Sequence, residues 1–315
     1  MKKKVVFPSR HPHLLCDDAV RLLQKEGFDV VFNTTGVKLS PQEQKKMISD
    51  AFAVIAGTEK YDREMLTGCE NLKTIIRFGV GTDNFDLTAM EDLGIKVGII
   101  ANHNAVAEFA LTLILSVLKN MPKYDKATRQ GSWARYDMRE LSGKTVGIVG
   151  FGRIGRRLAE LLKGFDVKIL AYSPHIKAEI AEKYGANAVS LDYLLENSDI
   201  VSLHLPDKED TKHLFNADTI NKMKDGAILI NTSRGSLIDE AALYNALETG
   251  KLGGAGLDVY ETEPVEKDNP LFKLDSVVLS PHVSALTKET NYNAGIVCAQ
   301  SIINVFNGGV PVYPL

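Results

Sequence analysis

Four stretches of the sequence carry residue types that can do chemistry: GFGRIG from Gly150, INTSRGSLID with Arg234, GLDVYETEP with Asp258 and Glu263, and VVLSPHVSALTKE with His282. The first supplies Gly150, Gly152 and Gly155 in a GxGxxG pattern. Alone that pattern is a weak signal. Here a β-branched run, 145–149, leads in, and a helix-spaced stripe of Ile154, Leu158, Leu161 and Leu162 leads out. That is the strand–turn–helix context a dinucleotide fingerprint requires. Gly150 permits the tight turn, Gly152 lets a pyrophosphate approach the backbone, and Gly155 lets helix and strand pack closely. The helix N-terminus then offers free N–H groups and the positive end of its dipole to the anion. A turn that holds no ligand is the competing reading, and strand, spacing and helix together weigh against it.

Such a fingerprint usually ends about 20 residues on in an acid that binds the adenine ribose of NAD. Here the second strand, KILAYSPHIK, ends in Ser173, and no carboxylate follows until Glu179. An acid at this point repels the 2′-phosphate of NADP, whereas serine can donate a hydrogen bond to it. His175 and Lys177 are near enough in sequence to help hold a phosphate. Serine therefore favours NADP over NAD without excluding NAD. Arg234, Asp258, Glu263 and His282 follow later β runs. In an open parallel sheet, ligands sit outside the carboxyl ends of the strands, so these residues should gather on one rim.

The elements that must position these groups alternate along the chain. Short β runs at 5–7, 29–33, 53–57, 73–78 and 96–100 are spaced by helical patterns such as 17–26, where Ala19, Leu22 and Leu23 share a face. From Ser142 the pattern restarts as GKTVGIVG, KILAYS, DIVSLHLP, GAILINTS, GGAGLDVY and SVVLSPH. Strands alternating with helices predict parallel sheets covered on both faces. The fold class is α/β, with two doubly wound parallel-sheet domains. A helix over 105–118, apolar almost all round, should be buried. The polar stretch 123–138, with the sole tryptophan, Trp133, reads as a connecting arm, and a last helix runs from 287 to 307.

The 315 residues suit two domains, since single cores stop growing near ~250–300 residues. A formal charge of −3 gives no general attraction to nucleic acid or anionic membrane. The longest apolar run, 110–118, is too short to span a bilayer, and the lysine-rich start lacks a secretory core. Cys16, Cys69 and Cys298 are odd in number and far apart, as expected of thiols in a reducing cytoplasm. His11 and His13 read as exposed loop residues, no metal is expected, and His103 and His213 have no assigned role.

The run of GFGRIG, HLP, NTSRGSLIDE, GAGLDVYETEP and PHVSALTKE, extended forward through RFGVGTDNFDL and NAVAEFAL, resembles the D-isomer-specific 2-hydroxyacid dehydrogenase family over essentially the whole chain. The resemblance implies a flavodoxin-like substrate domain formed by 1–101 and 287–315, with a Rossmann dinucleotide-binding domain, 102–286, inserted into it. It implies NAD(P)-dependent interconversion of a small 2-keto acid and its D-2-hydroxy acid. Arg234 matches the arginine that binds the substrate carboxylate and polarises its carbonyl. His282 matches the general acid/base, and Glu263 the carboxylate paired with it. Asp258 matches the residue that holds the nicotinamide carboxamide. Further cofactor contacts are implied at Gly150, Gly152, Arg153, Ile154, Gly155, Ser173, His175, His204, Pro206, Thr211 and Thr232. Gly79-Val80-Gly81 matches a loop whose N–H groups cup the substrate carboxylate, completing an anion site with Arg234. Trp133 either packs within the chain or reaches the active site of a neighbouring subunit. A homodimer joined through the cofactor domain is expected.

The sequence departs from the family pattern in three places. Ser173 replaces the usual acid. VGIIANHNAVAE is about two residues shorter than the usual form, which bears on substrate shape. Arg77 and Arg135 match two of the arginines that phosphoglycerate enzymes use for a distal phosphate. The early one, expected before AGTEK, is missing, with Ile55 and Ala56 standing there. Hydroxypyruvate, glyoxylate, pyruvate and phosphohydroxypyruvate stay open as substrates. The alternative function is a dinucleotide-sensing, corepressor-like binding protein with little turnover. A Rossmann domain for S-adenosylmethionine or a nucleotide-sugar leaves Arg234, Glu263 and His282 without a joint task.

Overall fold

The computed structural model describes residues 3–101 and 103–315. Met1 and Lys2 of the lysine-rich start, and Asn102 of the shortened loop, lie outside the described residues. The chain forms two compact units, Met1–Asn102 with Leu286–Leu315, and His103–Ala285.

The first unit holds strands β1 (Lys3–Phe7), β2 (Phe28–Phe32), β3 (Ala53–Ala56), β4 (Thr74–Arg77) and β5 (Lys96–Gly98). They form one parallel sheet in the order β2-β1-β3-β4-β5, a flavodoxin-like arrangement. Helices α1 (Asp17–Lys25), α2 (Pro41–Ile48), α3 (Arg63–Leu66) and α4 (Leu87–Asp92) connect them. Side chains alternate across a strand, so Val5 and Phe7 enter one core with Ala19 and Leu23, and Val6 enters the other with Ile48 and Met90. α2 begins with a reciprocal cap, in which the Ser40 hydroxyl accepts from the Glu43 N–H and the Glu43 carboxylate accepts from the Ser40 N–H.

The second unit opens with α5 (Asn104–Leu118) and α6 (Met121–Arg129). Its strands are β6 (Thr145–Val149), β7 (Lys168–Tyr172), β8 (Asn187–Ala188), β9 (Ile200–Leu203), β10 (Ala227–Asn231), β11 (Leu252–Leu257) and β12 (Val277–Leu279). The helices between them are α7 (Arg153–Leu162), α8 (Ala178–Lys183), α9 (Leu191–Asn197), α10 (Ala217–Lys222) and α11 (Glu240–Glu248). The sheet order is β12-β11-β10-β9-β6-β7-β8, all parallel. The order reverses between β6 and β9, the point at which a doubly wound sheet opens a crevice for a ligand. α5 and α7 cover one face through Leu113, Ile114 and Leu158 over Ile148 and Ile230. Leu194, Ile220 and Leu243 of α9, α10 and α11 cover the other. α12 (Lys288–Phe306) belongs to the first unit, where it packs on α1 and β4.

Two sequence expectations need correction. The stretch 123–138 is not irregular throughout. Up to Arg129 it is part of α6, none of whose residues is buried, and which an Arg129–Asp125 pair one turn apart helps to hold. The second sheet also has a strand more than the β runs indicated, the two-residue edge strand β8, which pairs with β7. Trp133 is 84% exposed, so it does not pack within this chain.

Candidate active site

The glycine turn sits at the switch point of the second sheet. Gly150 follows β6 with φ +99, and a Cβ there would stand 2.5 Å from the carbonyl of His204, which follows β9. Only glycine fits that approach, because its backbone angle and its neighbours both exclude a side chain. Gly155 presses on the Gly150 carbonyl, where a Cβ would overlap the oxygen. Gly152, the N-cap of α7, faces open space, since no heavy atom lies within 4 Å of where its Cβ would be. A tight turn, a close helix–strand contact and an open approach to the N–H groups of the first turn of α7 are what a pyrophosphate needs. Arg153 and Ile154 are the first residues of that helix, exposed and half-buried respectively.

The other cofactor candidates divide. Ser173 follows β7 directly and is half-buried, with His175 exposed two residues on. The Thr232 hydroxyl just after β10 is buried and has no hydrogen-bond partner among the described residues, an orphan that a bound group could satisfy. The His204 ring meets the Ser202 hydroxyl at 2.9 Å through Nε2, and burial pushes its pKa down to about 4, so it is neutral at pH 7. Pro206 is exposed, and its carbonyl accepts the Thr211 hydroxyl at 2.9 Å. That hydroxyl's one proton also has Lys208 O within reach at 3.0 Å, and its oxygen accepts from the Lys208 N–H at 2.9 Å, so Thr211 closes a turn.

Arg234, Glu263 and His282 stand on loops that the second unit fixes by three devices. The first is an Asx turn after β10: Asn231 Oδ1 accepts from the Ser233 N–H and hydroxyl, and Asn231 Nδ2 donates to Arg234 O. The second is Gly235, where a Cβ would overlap the backbone carbonyl of Tyr260. The Arg234 loop therefore lies flat against the turn that carries Glu263. The third is Asp258, which is fully buried at the end of β11. Its carboxylate accepts from the Ser280 hydroxyl at 2.6 Å, the Val283 N–H at 2.9 Å and the Ser284 N–H at 2.8 Å. Its backbone carbonyl accepts from the His282 N–H at 2.7 Å. The loop 280–284 thus wraps a buried anion, and His282 at its centre takes φ +53, a conformation that needs such support. The structure gives Asp258 this loop-holding task, which its place at a strand end did not reveal.

His282 Nδ1 meets Glu263 Oε2 at 2.7 Å. The other ring nitrogen, Nε2, makes no hydrogen bond within the protein among the described residues. The Tyr260 N–H donates to Glu263 Oε1 at 3.1 Å, so both carboxylate oxygens are fixed. Burial raises the Glu263 pKa, but the His282 hydrogen bond and the charges of His282 and Arg234 outweigh it and hold the carboxyl below its ordinary value of 4.5. A carboxyl whose folded pKa is depressed stabilises the fold above its unfolded pKa and loses that contribution as pH falls through the folded one. Stability should therefore decline on acidification below about pH 4.5. Glu263→Gln should flatten that limb of a plot of urea midpoint against pH, and an unchanged limb would show that the pair contributes nothing there.

His213 and Glu261 form a pair that sequence reasoning did not find. His213 Nε2 meets Glu261 Oε1. Glu261 and Glu240 exchange backbone-to-carboxylate bonds, 2.7 Å from the Glu261 N–H and 3.3 Å from the Glu240 N–H. This network ties the start of α11 to the turn before Glu263. Nothing in the spacing of positions 213, 240 and 261 signals it.

In the first unit, Gly79-Val80-Gly81 follows β4, and Val80 is exposed. Arg77 lies beneath this loop: a Cβ on Gly79 would stand 3.0 Å from its guanidinium carbon. Arg77 Nε donates to Gly81 O at 2.9 Å, and Nη1 to Ala56 O and Phe78 O at 3.3 Å. The resemblance assigns Arg77 to a substrate phosphate; in the structure its Nε and Nη1 brace the carbonyls of Gly81, Ala56 and Phe78.

Residues 111–284 match the NAD binding domain of the D-isomer specific 2-hydroxyacid dehydrogenases. The chain belongs to this family. It is 40% identical to a glyoxylate reductase of Thermococcus litoralis over 81% of this chain and 80% of that one. It is 38% identical to a D-3-phosphoglycerate dehydrogenase of Archaeoglobus fulgidus over 93% of this chain, and spans 56% of that protein's length. The crystal structure of a glyoxylate reductase from Paecilomyes thermophila superposes with a TM-score of 0.89 at 28% identity, covering 100% of this chain and 98% of that one. Among 2-hydroxyacid dehydrogenases the second unit is therefore the NAD binding domain, which carries the GFGRIG turn and the His282–Glu263 pair.

Proposed function

We propose that the chain is an NAD(P)-dependent D-2-hydroxyacid dehydrogenase that interconverts a small 2-keto acid and its D-2-hydroxy acid. The observation that carries this reading is the His282–Glu263 pair at 2.7 Å, with Nε2 of the ring left to a substrate. The nicotinamide supplies or accepts the hydride when bound. Gly150, Gly152 and the first turn of α7 hold the pyrophosphate. Arg234 holds the substrate carboxylate with a planar fork that suits it better than a lysine would. His282 gives its Nε2 proton to the carbonyl oxygen as hydride arrives and takes it back in the reverse direction. Glu263 fixes the ring's orientation through Nδ1 and stabilises the imidazolium. Gly79-Val80-Gly81 presents N–H groups to the carboxylate. The exposed Trp133 supports a homodimer in which the arm meets a partner subunit. With NAD⁺ or NADP⁺ and the enantiomers of lactate and glycerate, the D forms should be oxidised and the L forms left. Oxidation of the L forms alone would refute the reading.

Ser173 supports NADP as the working cofactor. Ser173→Asp adds a carboxylate that accepts from the ribose hydroxyls of NAD and repels a 2′-phosphate. The ratio of kcat/KM for NADPH to that for NADH should fall by about tenfold or more, the effect of ~1.4 kcal/mol. An unchanged ratio would mean that the ribose is read elsewhere.

A further inference from the structure

The order of the first sheet reverses between β1 and β3, so its switch point lies beside the carboxyl end of β3. The segment leaving β3 is Gly57-Thr58-Glu59, and Glu59 is only 7% exposed. Its Oε2 accepts from the Gly57 N–H at 2.8 Å. A Cβ on residue 57 would stand 2.7 Å from Oε2 and 3.0 Å from Oε1, so the carboxylate is folded onto that glycine. Among the described residues, no cation pairs with it and Oε1 has no hydrogen-bond donor. Oε1 is not a fully buried atom, so this side of the carboxylate keeps some contact with solvent while Oε2 is committed to the backbone.

This turn adjoins the Gly79-Val80-Gly81 turn on the same rim. Arg77 Nη1 bridges Ala56 O and Phe78 O, the carbonyls just before the two turns. Asn84 Nδ2 donates to the carbonyls of Gly57 and Glu59. Both turns are therefore held in place by side chains. A substrate whose carboxylate lies on the N–H groups of the second turn can extend its tail towards the first.

We propose that Glu59 selects the substrate's tail: it accepts 2-keto acids with an uncharged, hydroxyl-bearing tail and rejects those with a phosphorylated one. The proposal rests on the 2-keto acid reading given above. An uncommitted carboxylate oxygen is a strong acceptor for a hydroxyl. The same charge repels a phosphate, with less screening than on an open surface because the residue is largely buried. Ile55 and Ala56, neither of them charged, stand where a phosphate-binding arginine was expected, so β3 itself brings no cation to the turn; Arg77 of β4 lies beside it, with Nε and Nη1 donating to the carbonyls of Gly81, Ala56 and Phe78. Discrimination then comes from an unfavourable contact with the wrong acid as much as from a good one with the right acid.

The test compares kcat/KM for hydroxypyruvate, pyruvate and phosphohydroxypyruvate in the wild-type chain and in Glu59→Gln. The wild type should favour hydroxypyruvate over phosphohydroxypyruvate by about 10²-fold or more, and Glu59→Gln should narrow that gap by about tenfold, chiefly through a lower KM for the phosphorylated acid. A wild type that prefers phosphohydroxypyruvate overturns the proposal, as does a folded Glu59→Gln with an unchanged ratio. Should the variant not fold, the wild-type ratio alone decides. Turnover of pyruvate together with a failed tail preference leaves the dehydrogenase reading standing. No turnover of any of the three acids removes both.

Discussion

His282→Gln is expected to lower kcat by ~10²–10⁴-fold while leaving the dissociation constant of the dinucleotide nearly unchanged, the usual share of a general acid. Glutamine can keep a hydrogen bond to Glu263 Oε2, so the loop should hold its place. What it cannot do is carry a proton to a carbonyl oxygen at neutral pH. The Asp258 carboxylate continues to hold the loop through the Val283 and Ser284 N–H groups, neither of which the substitution touches. The effect should therefore fall on the chemical step, read in single turnover, with the nicotinamide site intact by fluorescence titration. Wild-type kcat in the variant would remove His282 from the reaction.

Gly235→Ala should damage stability and activity together. The added Cβ would overlap the Tyr260 carbonyl, and no flexible side chain is available to yield. Relief requires the Arg234 loop and the Tyr260–Glu263 turn to separate. Overpacking of this kind typically costs ~1–3 kcal/mol, occasionally more. Arg234 and the Glu263–His282 pair would then lose their register, and a displacement near an ångström can cost about 10²-fold in rate. The urea midpoint and kcat/KM should both fall. If neither moves, the contact between these two loops does not position the site.

The parallel sheets were legible because buried strands read as continuous apolar runs such as Val-Val-Phe at β1 and Ile-Leu-Ile at β10. The glycine turn was legible because three separate backbone requirements meet at fixed spacing. α6 was hidden because none of its residues is buried, so it shows no apolar stripe to betray a helical period. β8 was hidden because Asn187–Ala188 pairs through backbone alone. The limits at the site have a common cause. Asp258 follows a strand, which reads as facing a ligand, and Arg77 matches a phosphate-binding arginine of the family by position. Only the folded loops show the backbone groups that these side chains hold. His213 and Glu261 lie far apart in sequence, and a cross-loop ion pair leaves no periodic trace.

The most direct test follows the nicotinamide absorbance of purified protein given NADH or NADPH in parallel, with glyoxylate, hydroxypyruvate, pyruvate and phosphohydroxypyruvate. The account predicts loss of absorbance with at least one keto acid, faster with NADPH than with NADH, and its near-abolition by His282→Gln. Tight dinucleotide binding without turnover on any of these acids would contradict the dehydrogenase reading of this site.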